Sequence, residues 1–541
     1  MATDSDNGSV PSSRPHRDRV PKRVTLAAAC TGIVVGLVTF AGATVVSLVA
    51  RSENPLVAIG SAAIDLAPPG FKSLVISLFG TGDKTFLFVL IGILALILSV
   101  AVGVIEFRWA PYGVVLLCFI GFVAAAAVIS RSGANPVQAI PTVIGVVIGL
   151  LILRSLIKRL TLWEQAAARS QTQPSVAAGR PGSPEFERRG FLRLAIVAAV
   201  LSTMVAAGSS ISAAATNTAA VVRAKIKLPR PVSPAPTIPP AASLEIPGLT
   251  PYIVPNDDFY RIDTALEIPQ INPDTWKLRV TGMVENEVEV TFAELLKLPM
   301  KERIITLTCV SQEVGGDLVG NASWLGYPIR EVLARAKPTS GADMVLSTSI
   351  DGFTASSPLA VLTDPGTDAL LAVGMNGEPL PAEHGFPVRM VVPGLYGYVS
   401  ATKWLVELKV TTYADDQAYW TPRGYSAKGP IKLSSRIDTP QDGYRVKAGR
   451  VAVAGVAWHQ HVGISSVEVK IDKGSWQQAN LARVVTVDSW LQWSFAWQAT
   501  RGQHEITVRA IDDNGQVQTS REVGVVPNGA TGLHSIQVQV A

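Results

Sequence analysis

Cysteine is scarce in this chain. Cys30, Cys118 and Cys309 are the only three in 541 residues. With a single cysteine after residue 118, no disulfide forms within the downstream half, and multi-cysteine zinc or iron–sulfur sets are excluded there. Histidine is nearly as rare. His16, His384, His459, His461, His504 and His534 all lie outside the long apolar runs, so no histidine pair can clamp a haem within a membrane. No Cys-x-x-Cys-His occurs either, and no haem is expected in this chain. Charged residues make up only 16%, the net charge is +5, and no basic run is interleaved with aromatics, so a nucleic-acid partner is not expected.

Apolar residues are abundant instead, and unevenly placed. Residues 24–213 are dominated by Ala, Val, Leu, Ile and Gly, whereas 216–541 read as ordinary water-soluble protein. Four runs, 24–50, 86–105, 110–130 and 139–153, approach the ~20 apolar residues that span a bilayer, and a weaker fifth covers 194–212. The expected order is a cytoplasmic tail (1–23), four transmembrane helices (24–155), a cytoplasmic loop (156–193) and a fifth transmembrane helix (194–213). Arg14, Arg17, Arg19, Lys22 and Arg23 precede the first run; Arg154, Lys158, Arg159, Arg169, Arg180, Arg188, Arg189 and Arg193 lie between the fourth and fifth. The positive-inside rule places both groups in the cytoplasm, so five spans leave the remainder outside. The stretch "ERRGFLRLA" at 187–195 resembles a twin-arginine export signal, here internal. That route carries domains already folded, often around a cofactor.

Residues 214–244 contain "LPRPVSPAPTIPP", expected to be a stiff proline-rich linker. Further on, "RIITLTCV" has a strand pattern that ends at Cys309, and "SQEVGGDLVGN" follows as a loop. Strand ends are where chemistry collects, yet a buried strand also hosts a thiol as filler. On these residues alone, ligand and filler both stand. "YPIREVLARA" at 327–336 reads as an amphipathic helix. From 430 to 541, short alternating strands separated by turns such as "DKGS" and "DDNGQ" predict an antiparallel β-sandwich.

Several motifs appear in order: "NDDFYRID" (256–263), Cys309 at its strand end, "NASWLGYPIREVLARA" (321–336), "MNGEPLPAEHGFPVRMVVPGLYGYVSATKWL" (375–405) and "GVAWHQHVGISSVEVKID" in the last region. Together they resemble the sulfite oxidase family of molybdopterin enzymes over about 245–540. The resemblance implies an α-helical membrane region, an α+β sulfite-oxidase-type molybdopterin domain (245–428) and a C-terminal immunoglobulin-like β-sandwich (429–541). It makes Cys309 the molybdenum ligand, and a single soft thiolate suits a metal whose other sulfurs come from the pterin. It also implies pterin contacts from Asp257, Tyr260, Arg261, His384, Arg389, Ala401, Thr402 and Lys403, and from one of Thr348 and Ser349. A phosphate-bearing pterin needs such fixed cations and donors.

The chain departs from the animal and plant enzymes where substrate would sit. Gln312 and Glu313 replace an arginine-bearing run after the cysteine, and Phe353 takes the place of a tyrosine near the oxo group. A carboxylate there repels an oxyanion. The expected activity is oxygen-atom transfer on a small S- or N-oxide or a sulfite-like substrate, in either direction, with Cys309, Gln312, Glu313 and Phe353 at the reacting centre. Methionine-sulfoxide-type reduction in envelope proteins is the nearest alternative. A thiol hydrolase using Cys309 with His384, and a non-catalytic membrane-anchored scaffold, are the alternatives of other classes. Electrons are expected to pass to or from a separate partner or the quinone pool, and a homodimer through the sandwich is implied.

Overall fold

The computed structural model describes residues 22–50, 58–60, 62–63, 83–129, 136–172, 183–215 and 218–541. The basic tail before residue 22 and residues 173–182 of the expected loop lie outside these. The chain forms two units, 1–216 and 217–541.

In the first unit, helices α1 (Lys22–Ala50), α2 (Asp83–Arg108), α3 (Tyr112–Ile129), α4 (Ile140–Thr172) and α5 (Pro184–Ala215) follow the apolar runs. Among the described residues, four helical segments are long and apolar enough to cross a membrane: Arg23–Ser47, Phe86–Arg108, Tyr112–Ile129 and Pro136–Arg169. α1 and α2 touch through small residues, because a Cβ on Gly32 would lie 1.9 Å from the Ser99 carbonyl oxygen, and one on Gly103 would lie 2.1 Å from that of Ala28. Side chains on the outer faces, such as Ile97, Phe122 and Leu151, stay more than half exposed. Such apolar surface suits a hydrocarbon surround. The weaker fifth run falls inside α5, whose early turns carry Arg188, Arg189 and Arg193. Helix α4 also continues through 156–172, a stretch expected to be loop.

The second unit holds four sheets. Strands β1 (Lys277–Gly282), β2 (Val288–Thr291), β5 (Met344–Ser349), β6 (Thr354–Pro358) and β10 (Leu405–Thr411) run in the order β2-β1-β10-β5-β6. Another sheet orders β3 (Lys301–Thr308), β4 (Val319–Pro328), β7 (Leu370–Met375) and β8 (Glu378–Pro379), with β9 (Arg389–Val391) on β7. Helix α6 (Ile329–Ala336) buries Ile329, Val332, Leu333 and Ala336, the i, i+3, i+4, i+7 stripe legible in its sequence. Apolar side chains of both sheets and α6 merge into one core.

Two sheets form the C-terminal sandwich. One orders β11 (Ser434–Thr439), β13 (Gly449–Trp458), β17 (Leu491–Ala499) and β16 (Asn480–Leu481). The other orders β12 (Arg445–Val446), β19 (His534–Val540), β18 (Gly502–Asp512), β14 (Ile464–Ile471) and β15 (Gln477–Gln478).

The proline-rich segment does not behave as a free tether. Val232 N–H donates to Met300 O (2.8 Å), Glu302 N–H donates to Ser233 O (2.8 Å), and Leu228 and Ile238 pack on the core. Proline suits a sheet edge because it needs no donor partner, so composition alone could not separate strap from spacer.

The sandwich and the molybdopterin-type domain are stitched together. Thr306 Oγ1 accepts from Trp490 N–H (2.8 Å), Trp490 Nε1 donates to Tyr252 O (3.0 Å), and Gln460 Nε2 donates to Thr306 O (2.8 Å). His461 adds a titratable clasp. Its Nδ1 lies 3.1 Å from Asp488 Oδ1 and its Nε2 3.2 Å from Pro393 O, acceptors that only a doubly protonated ring satisfies together. The hydrogen bond to Asp488 accordingly raises its pKa, against the opposing effect of burial. A raised folded value means the clasp's stabilisation is complete below the unfolded pKa of about 6.5 and fades as pH climbs through the folded value. His461 sits at φ +65°, which asparagine tolerates, so His461→Asn isolates the charge. The melting-temperature gap between wild type and this variant should narrow between about pH 5.5 and pH 8.5; a gap constant across that range would rule the clasp out.

Candidate active site

Cys309 follows the last residue of β3. Its N–H donates to Leu318 O (3.0 Å), its carbonyl accepts from Gln312 N–H (3.1 Å), and the Ser311 N–H points at its sulfur (3.4 Å). The thiol is buried, and burial raises its pKa against the opposing bonds from Ser311 and the charge of Lys403.

Around it gather residues from distant parts of the chain. The 3-10 turn Ala382–His384 presents His384, β9 begins with Arg389, and the segment before β10 carries Ala401, Thr402 and Lys403. His384 is 2% exposed; its Nε2 lies 3.0 Å from Asn256 O, its ring packs edge-on to Phe259, and its Nδ1 is buried without a partner. Burial, with the charges of Lys403 and Arg389, pushes its pKa down to about 3, so the ring is neutral. Arg389 is 4% exposed. It reaches only backbone oxygens, those of Met390, His384 (3.1 Å) and Ala401 (3.5 Å), and its guanidinium lies 5.1 Å from the centre of the Trp324 ring. Among the described residues no carboxylate pairs with it, and burial lowers its pKa to about 10. Lys403 donates to Asp263 (3.0 Å) and to Glu383 O (2.9 Å), and burial, partly offset by Asp263, lowers its pKa to about 8. Arg261 donates to the same Asp263 carboxylate (2.9 Å). Tyr260 stacks on Phe259 and lies within electrostatic reach of both Cys309 and Arg389; burial raises its pKa.

Strand alternation separates Thr348 from Ser349. Ser347 shares a hydrogen bond with Thr402 (2.7 Å), and Ser349 lies on that same face, buried, its hydroxyl without a partner; Thr348 faces the other way and is half-buried. Asp257 is exposed in the turn Asn256–Asp258, and no side-chain bond ties it to the cluster.

These groups form a cationic cradle with unspent capacity: a buried arginine lacking a carboxylate, a buried serine hydroxyl, and the lone pair of His384 Nδ1, an acceptor because the neutral ring donates from Nε2 to Asn256 O. A buried cation without a counter-charge costs several kcal/mol, so this set fits a bound anion rather than an empty core. A phosphate-bearing pterin with its metal on Cys309 matches that donor set.

Residues 265–420 match the oxidoreductase molybdopterin-binding domain, and 434–508 match a bacterial Ig domain. Mitochondrial sulfite oxidase of Mus musculus is 30% identical over 343 residues, 53% of this chain and 62% of that protein. The chain carries an oxidoreductase molybdopterin-binding domain and is similar to sulfite oxidases. Its match spans about three fifths of the mouse enzyme's length. Sulfite oxidase of Arabidopsis thaliana is 28% identical over 339 residues, 52% of this chain and 84% of that protein. The solved structure of the sulfane dehydrogenase SoxCD from Paracoccus pantotrophus covers 58% of this chain and 87% of that chain at 22% identity, with a TM-score of 0.47.

Of the residues expected to face substrate, Gln312 and Phe353 make other contacts. The Gln312 amide is already engaged, donating to Gly316 O (2.7 Å) and accepting from Leu318 N–H (2.5 Å), so it braces the loop. Glu313 is exposed. Phe353 sits in the β5–β6 hairpin against Tyr419, 5.7 Å between ring centres, and no described contact joins it to Cys309. The aromatic groups that do reach the thiol electrostatically include Tyr396, whose pKa burial pushes up to about 12, and Tyr425, which hydrogen-bonds Ser311. Tyr396 lay unremarked inside the 375–405 block; Tyr425 arrives by a loop whose sequence carries no such signal. No described hydrogen bond joins His384 to Cys309, so the base needed by a thiol hydrolase is not in place.

Proposed function

We propose that this chain is a membrane-anchored oxidoreductase that transfers an oxygen atom to or from a small molecule at a molybdenum centre, outside the cytoplasm. The buried, unpaired Arg389 beside the Cys309 strand end carries this reading, because it asks for an anionic cofactor at that place. Bound, the molybdenum–pterin group would supply a two-electron metal couple. The chain's residues would do the rest: Cys309 would ligate the metal, Arg389, Lys403, Arg261, His384 and Ser349 would hold the pterin, and Tyr260, Tyr396 and Tyr425 would shape the space around the sulfur. Gln312 would act by bracing its loop. The four apolar helical segments and α5 would anchor the unit, with the arginines before α5 directing export of the folded domain. Electrons would pass to or from a separate carrier or the quinone pool.

The test is molybdenum analysis with EPR on the full chain from cells that make the cofactor, beside Cys309→Ala, with external protease applied to intact spheroplasts. The expected result is about one molybdenum per chain, a Mo(V) signal altered or lost in the variant, and cleavage within 217–541 from outside. A well-folded chain without molybdenum would favour the scaffold reading instead, and protection from the protease would reverse the orientation.

A further inference from the structure

Asp263 follows Arg261 closely and precedes Lys403 by 140 residues, yet both cations meet it. Arg261 Nε donates to Asp263 Oδ2 at 2.9 Å, and Lys403 Nζ donates to the same oxygen at 3.0 Å. The side chains of Asp263 and Lys403 are 6% and 10% exposed, so the contact is shielded from water. Lys403 is held from two more sides, by Glu383 O (2.9 Å) and by the Trp404 ring, whose centre lies 5.5 Å from Nζ. One carboxylate oxygen thus fixes where two cations of the cradle point.

A purely structural ion pair would balance its charge, because an unmatched buried charge is costly. This one does not balance. Among the described residues, Asp263 is the only carboxylate that pairs with Arg261, Lys403 or Arg389, and a positive surplus remains. Asp263 also keeps Lys403 ionised. Burial lowers the Lys403 pKa to about 8, the charges of Arg389 and Arg261 push the same way, and Asp263 supplies the opposing effect. The neutral His384 and the Cys309 thiol are the other titratable groups within electrostatic reach of this amine. Without the carboxylate, the amine gives up its proton at lower pH.

We infer that Asp263 is a positioning residue of the cradle, holding Lys403 and Arg261 where they meet a bound anion. The inference rests on the pterin reading above. A carboxylate touching the anion would repel it, so Asp263 acts through the two cations and not by contact.

The experiment uses the full chain in detergent, from cells that make the cofactor, with retained pterin read as fluorescence after denaturation. Wild type should begin to shed pterin as pH rises past about 8. Asp263→Asn keeps the shape and loses the charge. It should retain about tenfold less pterin than wild type at that pH, and its loss should begin at lower pH. A change that only loosened the fold would lower retention alike at every pH. In a Lys403→Met background, the Asp263→Asn change should have a much smaller effect, because the amine it aims is gone. Retention and pH profile equal to wild type in Asp263→Asn, or an effect undiminished beside Lys403→Met, would overturn the inference. Should Asp263→Asn fail to fold, Asp263→Glu decides. It keeps the charge but moves it by one methylene, so retention below wild type supports positioning and equal retention refutes it. If the wild type carries no pterin, the pterin reading falls, and inorganic phosphate becomes the probe, read by melting temperature. A larger phosphate-induced rise in wild type than in Asp263→Asn would leave the role of Asp263 standing; equal responses would sink it too.

Discussion

Replacing Arg389 with methionine should leave the chain folded and nearly empty of pterin. The wild-type guanidinium is buried on backbone oxygens and the Trp324 face, with no carboxylate beside it. In the cofactor-free chain that cation is a liability, and a methionine of similar length fills the space without a charge to desolvate. The cofactor-free variant should therefore melt no lower than the cofactor-free wild type. Pterin loading should fall, because removing a buried charged hydrogen-bond partner costs about 2–5 kcal/mol, roughly 30- to 4,000-fold in affinity. Pterin fluorescence after denaturation, with metal content, reads the loading. A variant loaded like wild type would mean Arg389 only braces the Ala401 carbonyl and the His384 turn.

The second large effect is on stability. Trp490 is 1% exposed, takes the Thr306 hydroxyl on its N–H, and donates from its ring to Tyr252 O. It fastens β3, the strand that ends at Cys309, to the sandwich. Trp490→Ala empties a large packed volume and leaves the Tyr252 carbonyl with Asn321 Nδ2 as its remaining side-chain donor, at a cost of about 3–5 kcal/mol. Urea unfolding of the full chain should show a much lower midpoint, while Trp476→Ala, a half-buried position under Arg509 and Lys470, should stay within about 1 kcal/mol of wild type. A Trp490→Ala midpoint equal to wild type would mean the two domains hold together without this joint.

What the sequence made legible was local or ordered. The strand pattern running into Cys309 placed the thiol at a strand end, and the long 375–405 block named His384, Arg389 and Lys403 as a set, which the fold gathers near Cys309. Period-2 patterning was enough for the sandwich. The illegible parts depend on where atoms meet across long separations. Gln312 looked available for substrate because composition cannot show an amide spent on Gly316 and Leu318. Thr348 and Ser349 could not be told apart until pairing fixed which face met Thr402. Tyr425 reaches the site from more than a hundred residues away, with no periodicity to announce it. The proline-rich segment misled because stiffness and edge pairing share a composition.

The sandwich grips the loop that follows Cys309. Arg436 holds Gly316 O, and a Cβ on Gly315 would run into the His534 ring at 2.2 Å, so the loop has one way to lie. In the proposed reading, cofactor retention would draw on residues 260–263 and 384–403, whereas the loop after Cys309 is held from the sandwich. The two properties therefore have largely separate genetic addresses. Drift in the turns of the sandwich could retune what the enzyme accepts while its ability to load cofactor stays intact, which makes the C-terminal domain the natural target for altering selectivity by directed evolution.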